Sequence, residues 1–460
     1  MTNRSAEAAT PGPARPSLAR AWYAVAVLFA IYILSFIDRQ IVNLLVDPIR
    51  HDLQVSDTQI SLLQGFAFAV FYTLMGLPIA ALADRGNRPA IIAAGLVVWS
   101  LMTALCGVAR SFWMLFLGRV GVGIGEATLS PAAHSLIADA FPRDKITRAV
   151  GLFVSAQSVG AGLALMVGGS VIAAVSHGGD AGTAVPFLGM LKPWQLAFLI
   201  VGLGGLPFVL LLLTIQDPPR GAAPTDQADT GAFLAHLKAT RGFLFCLFAA
   251  EVLTTITGYS SQSWFPSLFV RVHGWSIGTA GLVIGASIAV FGSLGLALTA
   301  RYSESLARRG TPDGIMRAMA VGAIFIAIGN LVLAQGSETA VVLGMMLMVG
   351  ANASAAIVPA AIQLTTPNRL RARVTALMLF TLNLLGLGIG PTLVAATTDY
   401  VFQDPKAVGS SVALIGVVGA LLAAGLFRLG CAPYRAALAR QEAAPPEPAS
   451  AAPEPVTAPA

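Results

Sequence analysis

The chain has 460 residues, of which 56% are hydrophobic and 11% charged, with a net charge of +6 and a mean hydropathy of +0.76. An average soluble domain carries about 25% charged residues, so this composition excludes a water-soluble globular protein and describes one whose surface faces hydrocarbon. Three cysteines, Cys106, Cys246 and Cys431, have no metal-ligand spacing and an odd count, which indicates neither a disulfide framework nor a zinc site.

A hydrocarbon core about 30 Å thick needs roughly 20 helical residues at 1.5 Å each. Stretches of that kind lie near 21–46, 58–82, 89–109, 112–138, 147–175, 194–215, 241–270, 276–299, 314–334, 337–363, 372–398 and 408–429. The fold class is therefore all-α, with about twelve transmembrane helices. The first stretch is too long for a cleavable signal peptide and contains Asp38 and Arg39. The pair Asp47-Pro48 is expected to end the first helix, because proline favours extended geometry in the residue before it. Residues 1–17 and 441–460 are Pro/Ala-rich with little large apolar content, and read as disordered.

With the N-terminus inside, the cytoplasmic segments hold 21 Lys and Arg residues, whereas the other side holds Arg50, Arg110, Lys192, Arg271 and Lys406. That bias places both termini in the cytoplasm. The net positive charge is thus a topology signal and no sign of nucleic-acid binding.

An internal repeat divides the chain. Residues 56–65 (SDTQISLLQG) recur as 276–285 (SIGTAGLVIG), and Asp84-Arg85-Gly86-Asn87-Arg88 recurs as Glu304-Ser305-Leu306-Ala307-Arg308, both at an offset of 220. Pro142 and Arg148 match Pro367 and Arg373 at an offset of 225. The organisation that follows is a tail over 1–17, a six-helix half over 18–215, a polar cytoplasmic linker over 216–240, a second half over 241–430 and a tail over 431–460. The two halves are expected to be pseudo-symmetric.

Four charges interrupt the apolar stretches: Asp38 and Arg39 in the first, Arg119 and Glu126 in the fourth. Each costs roughly 2.5–3.5 kcal/mol on insertion scales and persists where it lines a pathway or finds a partner. Asp38 lies about 12 Å in from the outer side and Arg119 about 10 Å, so they should be neighbours in depth. Glu126 is two turns beyond Arg119 on nearly the same face, and Gly121, Gly123 and Gly125 leave room there for a neighbouring helix or a ligand. With both carboxylates ionised the quartet sums to zero; one proton leaves +1, which an anionic headgroup would cancel, linking proton and substrate binding. Glu126, taken to lie further from the arginines, is the preferred proton site, with Asp38 second. The plainer alternative is a static cluster that ties helix 1 to helix 4. Tyr32, Phe68, Gln157, Trp264 and Asn383 are candidate cavity residues, and Glu251 is a lone acid in the seventh stretch. His51, His134, His177 and His273 form no visible ligand cluster, so neither a metal nor another cofactor is expected, and no nucleophile–base pair suggests an enzyme.

Two parallel six-helix halves are the plan of major facilitator transporters. Ala80-Ala81-Leu82-Ala83-Asp84-Arg85-Gly86-Asn87-Arg88 resembles that family's loop signature between helices 2 and 3, with Ala80, Asn87 and Pro89 departing from it, and Leu117 to Ala127 carries the family's membrane-embedded arginine, Arg119. Phe36-Ile37-Asp38-Arg39, Gly125-Glu126-Ala127 and Phe141-Pro142 resemble the spinster subfamily, including its bacterial members. The resemblance implies a monomeric, proton-coupled transporter of a lysolipid or sphingoid phosphate in a bacterial inner membrane, working by alternating access. It also implies a conformational latch formed by Asp84, Arg85 and Arg88. An uptake symporter of a small organic anion, such as a carboxylate or sugar acid, is the second reading.

Overall fold

The computed structural model describes residues 16–175, 182–220 and 230–443. Among them, twelve helices are long and apolar enough to cross a membrane: α1 (Leu18–Leu44), α2 (Asp57–Ala83), α3 (Arg88–Gly107), α4 (Phe112–Ala140), α5 (Asp144–Val175), α6 (Pro193–Leu213), α7 (Arg241–His273), α8 (Ile277–Arg308), α9 (Gly314–Leu333), α10 (Glu338–Thr365), α11 (Asn368–Phe402) and α12 (Pro405–Ala443). An even number of spans puts residues 16 and 443 on one face, called the terminal face below; the other is the far face.

The repeat is legible in the caps. Ser56 accepts from the Gln59 amide at the start of α2, and Ser276 from the Thr279 amide at the start of α8. Ser111 and Ser337 cap α4 and α10 in the same way. Each satisfies one of the amides that a helix N-terminus leaves without an internal partner. The interiors repeat as well. Helix α4 breaks after Glu126 and resumes at Leu129, and α10 passes through a 3-10 turn at Ala353–Ile357 before resuming at Val358.

Several expectations need correction. Asp47-Pro48 does not end α1: the helix stops at Leu44, and a short helix, Val46–Leu53, starts at once with Pro48 in its first turn, where a missing N–H costs no helical bond. Helix α12 continues through Pro433 to Ala443, so a tail does not begin at 431; Tyr434 and Ala437 are buried, and the Tyr434 ring lies 5.3 Å from that of Phe243. The linker contains a ten-residue helix, Thr230–Ala239. A small antiparallel hairpin, β1 (Thr183–Val185) and β2 (Gly189–Leu191), stands between α5 and α6 on the far face. The expectation of disordered tails falls mainly on 1–15 and 444–460, outside the described residues.

Helices α1 to α6 meet α7 to α12 along two seams. At the α5–α8 seam, a Cβ on Gly162 would come within 2.9 Å of the Gly285 carbonyl oxygen, so only glycine permits this approach. Polar contacts between the two sets of spans, among the described residues, belong to the far-face side. Arg271 of α7 donates to Asp47 at 2.5 Å and grips Asp57 with two bonds of 2.6 and 2.8 Å. The Thr58 amide and hydroxyl both donate to Asp399 at 2.7 Å, and Gln64 donates to the Ser263 carbonyl at 3.2 Å. Burial pushes the Asp47 carboxyl up while Arg271 pulls it back, which leaves the fully buried, doubly bonded Asp57 as the firmer half of this clamp. The molecule is closed on its far face.

Arg271→Gln should leave the buried Asp57 with Arg50, 3.3 Å away, as its remaining guanidinium and cost the far-closed conformation about 2 kcal/mol in lost charged hydrogen bonds. Spin-label distances across the far face should lengthen, because the lost bonds hold that face shut. Distances equal to those of the wild type would mean that the seams alone close it.

Candidate functional site: a buried charge cluster

The four sequence-predicted charges converge between α1, α2 and α4. Asp38, Arg119 and Glu126 are each 1% exposed, whereas the Arg39 side chain retains 18%. Only Arg39 is within reach of solvent or a ligand.

Ser35 and Arg39 lie one turn apart on α1, and both donate to the same oxygen of Glu126, each at 2.6 Å. This arrangement reverses the premise that Glu126 stands apart from the arginines. Helix 4 brings Glu126 opposite the α1 turn that carries Arg39, a juxtaposition that depth along one helix does not reveal. The other Glu126 oxygen has no partner among the described residues. Asp38 is the carboxyl without a guanidinium bond: neither of its oxygens finds a partner among the described residues, and the nearby Thr103 hydroxyl is likewise unpaired. Asp38 and Arg119 are neighbours in depth, as expected, but through the main chain. Arg119 donates to the Asp38 carbonyl at 3.1 Å and to the Leu63 carbonyl at 3.2 Å. Leu63 belongs to a π turn, Leu62–Phe66, a distortion frequent at functional positions.

Aromatic rings enclose Arg39. Its guanidinium carbon lies 4.7 Å from the centroid of Phe68, 4.8 Å from Tyr72 and 5.2 Å from Phe36. Such cation–π contacts contribute about 2 kcal/mol each when desolvated. Tyr32 stacks on Phe153 at 5.0 Å and sits beside Phe36. Tyr259 of α7 is within electrostatic reach of Arg39 and Tyr72, so the second set of spans comes near this cage. Sequence reading missed Ser35 and Tyr259. The i, i+4 spacing of Ser35 and Arg39 was a usable signal, whereas nothing local points to Tyr259.

The three helix-4 glycines serve helix packing. A Cβ on Gly123 would approach the Phe68 carbonyl to 2.7 Å and one on Gly125 the Trp99 amide to 2.7 Å, while Gly121 faces the Met102 side chain. They let α2 and α3 press against α4 beside the charges, with no space left for a ligand.

Other candidates fall elsewhere. Trp264 is fully buried and donates to the Pro391 carbonyl at 2.9 Å, tying α7 to α11 outside the cage. Glu251 is buried eight residues before Tyr259, its carboxylate 3.3 Å from the Thr254 hydroxyl and not joined to the quartet. Asn383 is half-buried in a π turn of α11, and Gln157 is exposed on α5. The loop charges also separate. Arg88 is completely buried, bonded to Asp139, to Asp217 at 2.6 Å and to the Pro218 carbonyl at 2.6 Å, so it anchors the start of the linker instead of joining Asp84. Arg220 donates to the carbonyls of Ala83, Asp84 and Gly86, closing the C-terminal end of α2. Asp84 and Arg85 are exposed.

A cleft of about 540 Å³ lies between α7 and α11 on their terminal-face side, lined by Phe245, Phe248, Val252, Leu377 and Leu385 among others, with Thr381 its one polar side chain. Val252, Phe248 and Phe245 stand 7, 11 and 14 residues before Tyr259, positions that share one helix face. The α7 wall of the cleft therefore lies on the helix face that carries Tyr259, and between them Thr255 packs on Gly386 of α11.

The family model of the Major Facilitator Superfamily matches residues 28–391. An MFS-type efflux pump of Mycolicibacterium smegmatis is 30% identical over 431 residues, covering 90% of this chain and 94% of that protein. Protein spinster homolog 1 of Xenopus laevis is 30% identical over 54% of this chain, which spans only 45% of that relative. Among solved structures, a bacterial homolog of the human lysosomal transporter spinster, in an inward-facing and unoccupied conformation, has a TM-score of 0.72 and 28% identity, covering 93% of this chain and 98% of that one.

Glu126→Ala removes the carboxylate that balances Arg39 and should lower stability by about 3–5 kcal/mol, whereas Glu126→Gln, which keeps a hydrogen-bond acceptor, should cost less. Thermal unfolding in detergent separates the two variants. Equal melting temperatures would show that the rings alone hold Arg39.

Proposed function

The chain belongs to the Major Facilitator Superfamily, and on that premise we propose that it is a proton-coupled secondary active transporter of a lipid-like amphiphile with an anionic headgroup. It is an integral membrane protein with spinster relatives. What supports the substrate reading is the presence in one molecule of a partly exposed guanidinium and an apolar cleft between α7 and α11. Arg39 suits a phosphate or carboxylate, and the α7–α11 cleft suits a hydrocarbon tail. A small sugar acid or carboxylate would need several polar groups in that cleft, which has only Thr381. The lysolipid or sphingoid phosphate class is accordingly preferred to a small organic anion.

In this mechanism the headgroup competes with Glu126 for Arg39. The quartet is neutral when both carboxylates are ionised, so an arriving anion requires one compensating proton. Asp38 is the carboxyl that can exchange a proton without first breaking an ion pair, and we assign it the coupling role ahead of Glu126. Arg119, bonded to two carbonyls, holds α1, α2 and α4 in register around it. On this reading both termini are cytoplasmic, as the charge bias favours, and the bacterial relatives support a bacterial inner membrane. The far face is then the outside, and its closure by Arg271 supports an inward-facing reading of this conformation. The exposed Asp84 is consistent with a cytoplasmic latch released in that state.

Two outcomes test these assignments. In proteoliposomes carrying a fluorescent lysolipid, Asp38→Asn should abolish the dependence of transport on a pH gradient, because asparagine cannot carry the proton. Gradient dependence equal to that of the wild type in a correctly inserted variant would refute the role of Asp38. Asp84→Asn should raise the inward-facing population, read as longer label distances across the cytoplasmic face, since the lost contact exists in one conformation only. Shorter or unchanged distances with impaired transport would refute the latch.

A further inference from the structure

Three cations flank the terminal-face end of the α7–α11 cleft, two on its walls and one on the linker helix beside it. Arg241 precedes Phe245 by four residues on α7, and Arg373 precedes Leu377 by four on α11. Residues four apart share a helix face one turn apart, so each wall of the cleft carries an arginine one turn nearer the terminal face than its apolar lining. Lys238 follows Leu237, the linker-helix residue that closes this end of the cleft. All three are exposed, and none forms an ion pair among the described residues. The Arg373 guanidinium carbon lies 5.9 Å from the Phe233 centroid, which holds it toward the linker helix.

Unpaired like charges around an apolar cleft at membrane-surface depth match the head and tail of one molecule. We propose that Lys238, Arg241 and Arg373 form a headgroup site for an anionic lipid of the adjoining leaflet, whose acyl chain occupies the α7–α11 cleft. Basic residues at the membrane surface each strengthen attraction to anionic lipid by roughly fivefold. The site deepens the amphiphile reading and rests on it for one point, that the cleft takes a hydrocarbon tail. A lipid held here stands 18 residues along α7 from Tyr259 when counted from Arg241, or about 27 Å. It lies on the far side of the cleft from the buried quartet, and binding there needs no proton.

The test uses the full-length purified protein, titrated with a lysophosphatidylglycerol, with a lysophosphatidylcholine of the same chain length and with glycerol phosphate, read by native mass spectrometry and thermal shift. The wild type should bind the anionic lysolipid at least about tenfold more tightly than the zwitterionic one. The K238Q/R241Q/R373Q variant should lose that preference, and Ala249→Phe, which fills the cleft, should weaken both lysolipids. Arg39→Gln should keep the preference, so that failure of the transport reading at Arg39 is distinguishable from failure of this site. A preference that survives in the triple variant would overturn the proposal, as would glycerol phosphate competing as well as the anionic lysolipid, since the tail would then be irrelevant. A preference lost in Arg39→Gln and kept in the triple variant would also overturn it, by moving the headgroup to the cage.

Discussion

The ion pair between Arg39 and Glu126 sets the terms for the rest of the site. A guanidinium at membrane depth needs both charge balance and a substitute for water, and α1 supplies neither alone. Glu126 provides the balance at 2.6 Å, and the rings of Phe36, Phe68 and Tyr72 provide the substitute. Phe36 is on α1 itself, whereas Phe68 and Tyr72 reach Arg39 because Gly123 lets α2 lie against α4. Arg119 completes the arrangement by bonding to main-chain carbonyls, which leaves the Asp38 carboxylate without a guanidinium partner. One side chain, Arg39, is then presented to a ligand while its neighbours are kept from water.

The two sets of spans share a backbone plan and differ in chemistry. Helices α4 and α10 are capped by serines and broken at corresponding places. Yet the positions that carry Arg119 and Glu126 in α4 correspond, at the offset of 226 that relates the caps Ser111 and Ser337, to the uncharged Met345 and Asn352 in α10. The first set holds the charge cluster, and the second offers the apolar cleft and Tyr259. For the proposed amphiphile, this division would set a polar half against the head and an apolar half against the tail. The buried clamp of Arg271 on Asp47 and Asp57 gives the far face a defined closed state from which such a movement starts.

Class, number of spans, order and the duplication were legible in the sequence, because each depends on local composition. Twenty apolar residues in a row have one stable answer in hydrocarbon, a helix whose backbone groups bond to each other. The terminal serines that cap α2, α4, α8 and α10 act within one turn, so their meaning is local too. The four buried charges were also legible, since their cost is paid wherever the helix faces. The extension of α12 to Ala443 was not: its last turns are polar enough to read as tail, and they are helical because Tyr434 packs on Phe243, some 190 residues away in the chain.

Pairing within the cluster was decided by tertiary structure alone. Spacing along α4 separates Arg119 from Glu126 correctly but says nothing about the rotation of α1 against α4, and that rotation gives Glu126 to Arg39 and leaves Asp38 unbonded. The same holds for Arg88, grouped with Asp84 and Arg85 by its place in the loop motif, which the fold pairs with Asp139 and Asp217. Depth in the membrane is a one-dimensional quantity that the sequence determines through helical rise. Which side chain faces which is set by how neighbouring helices pack, and that depends on contacts between residues far apart in the chain.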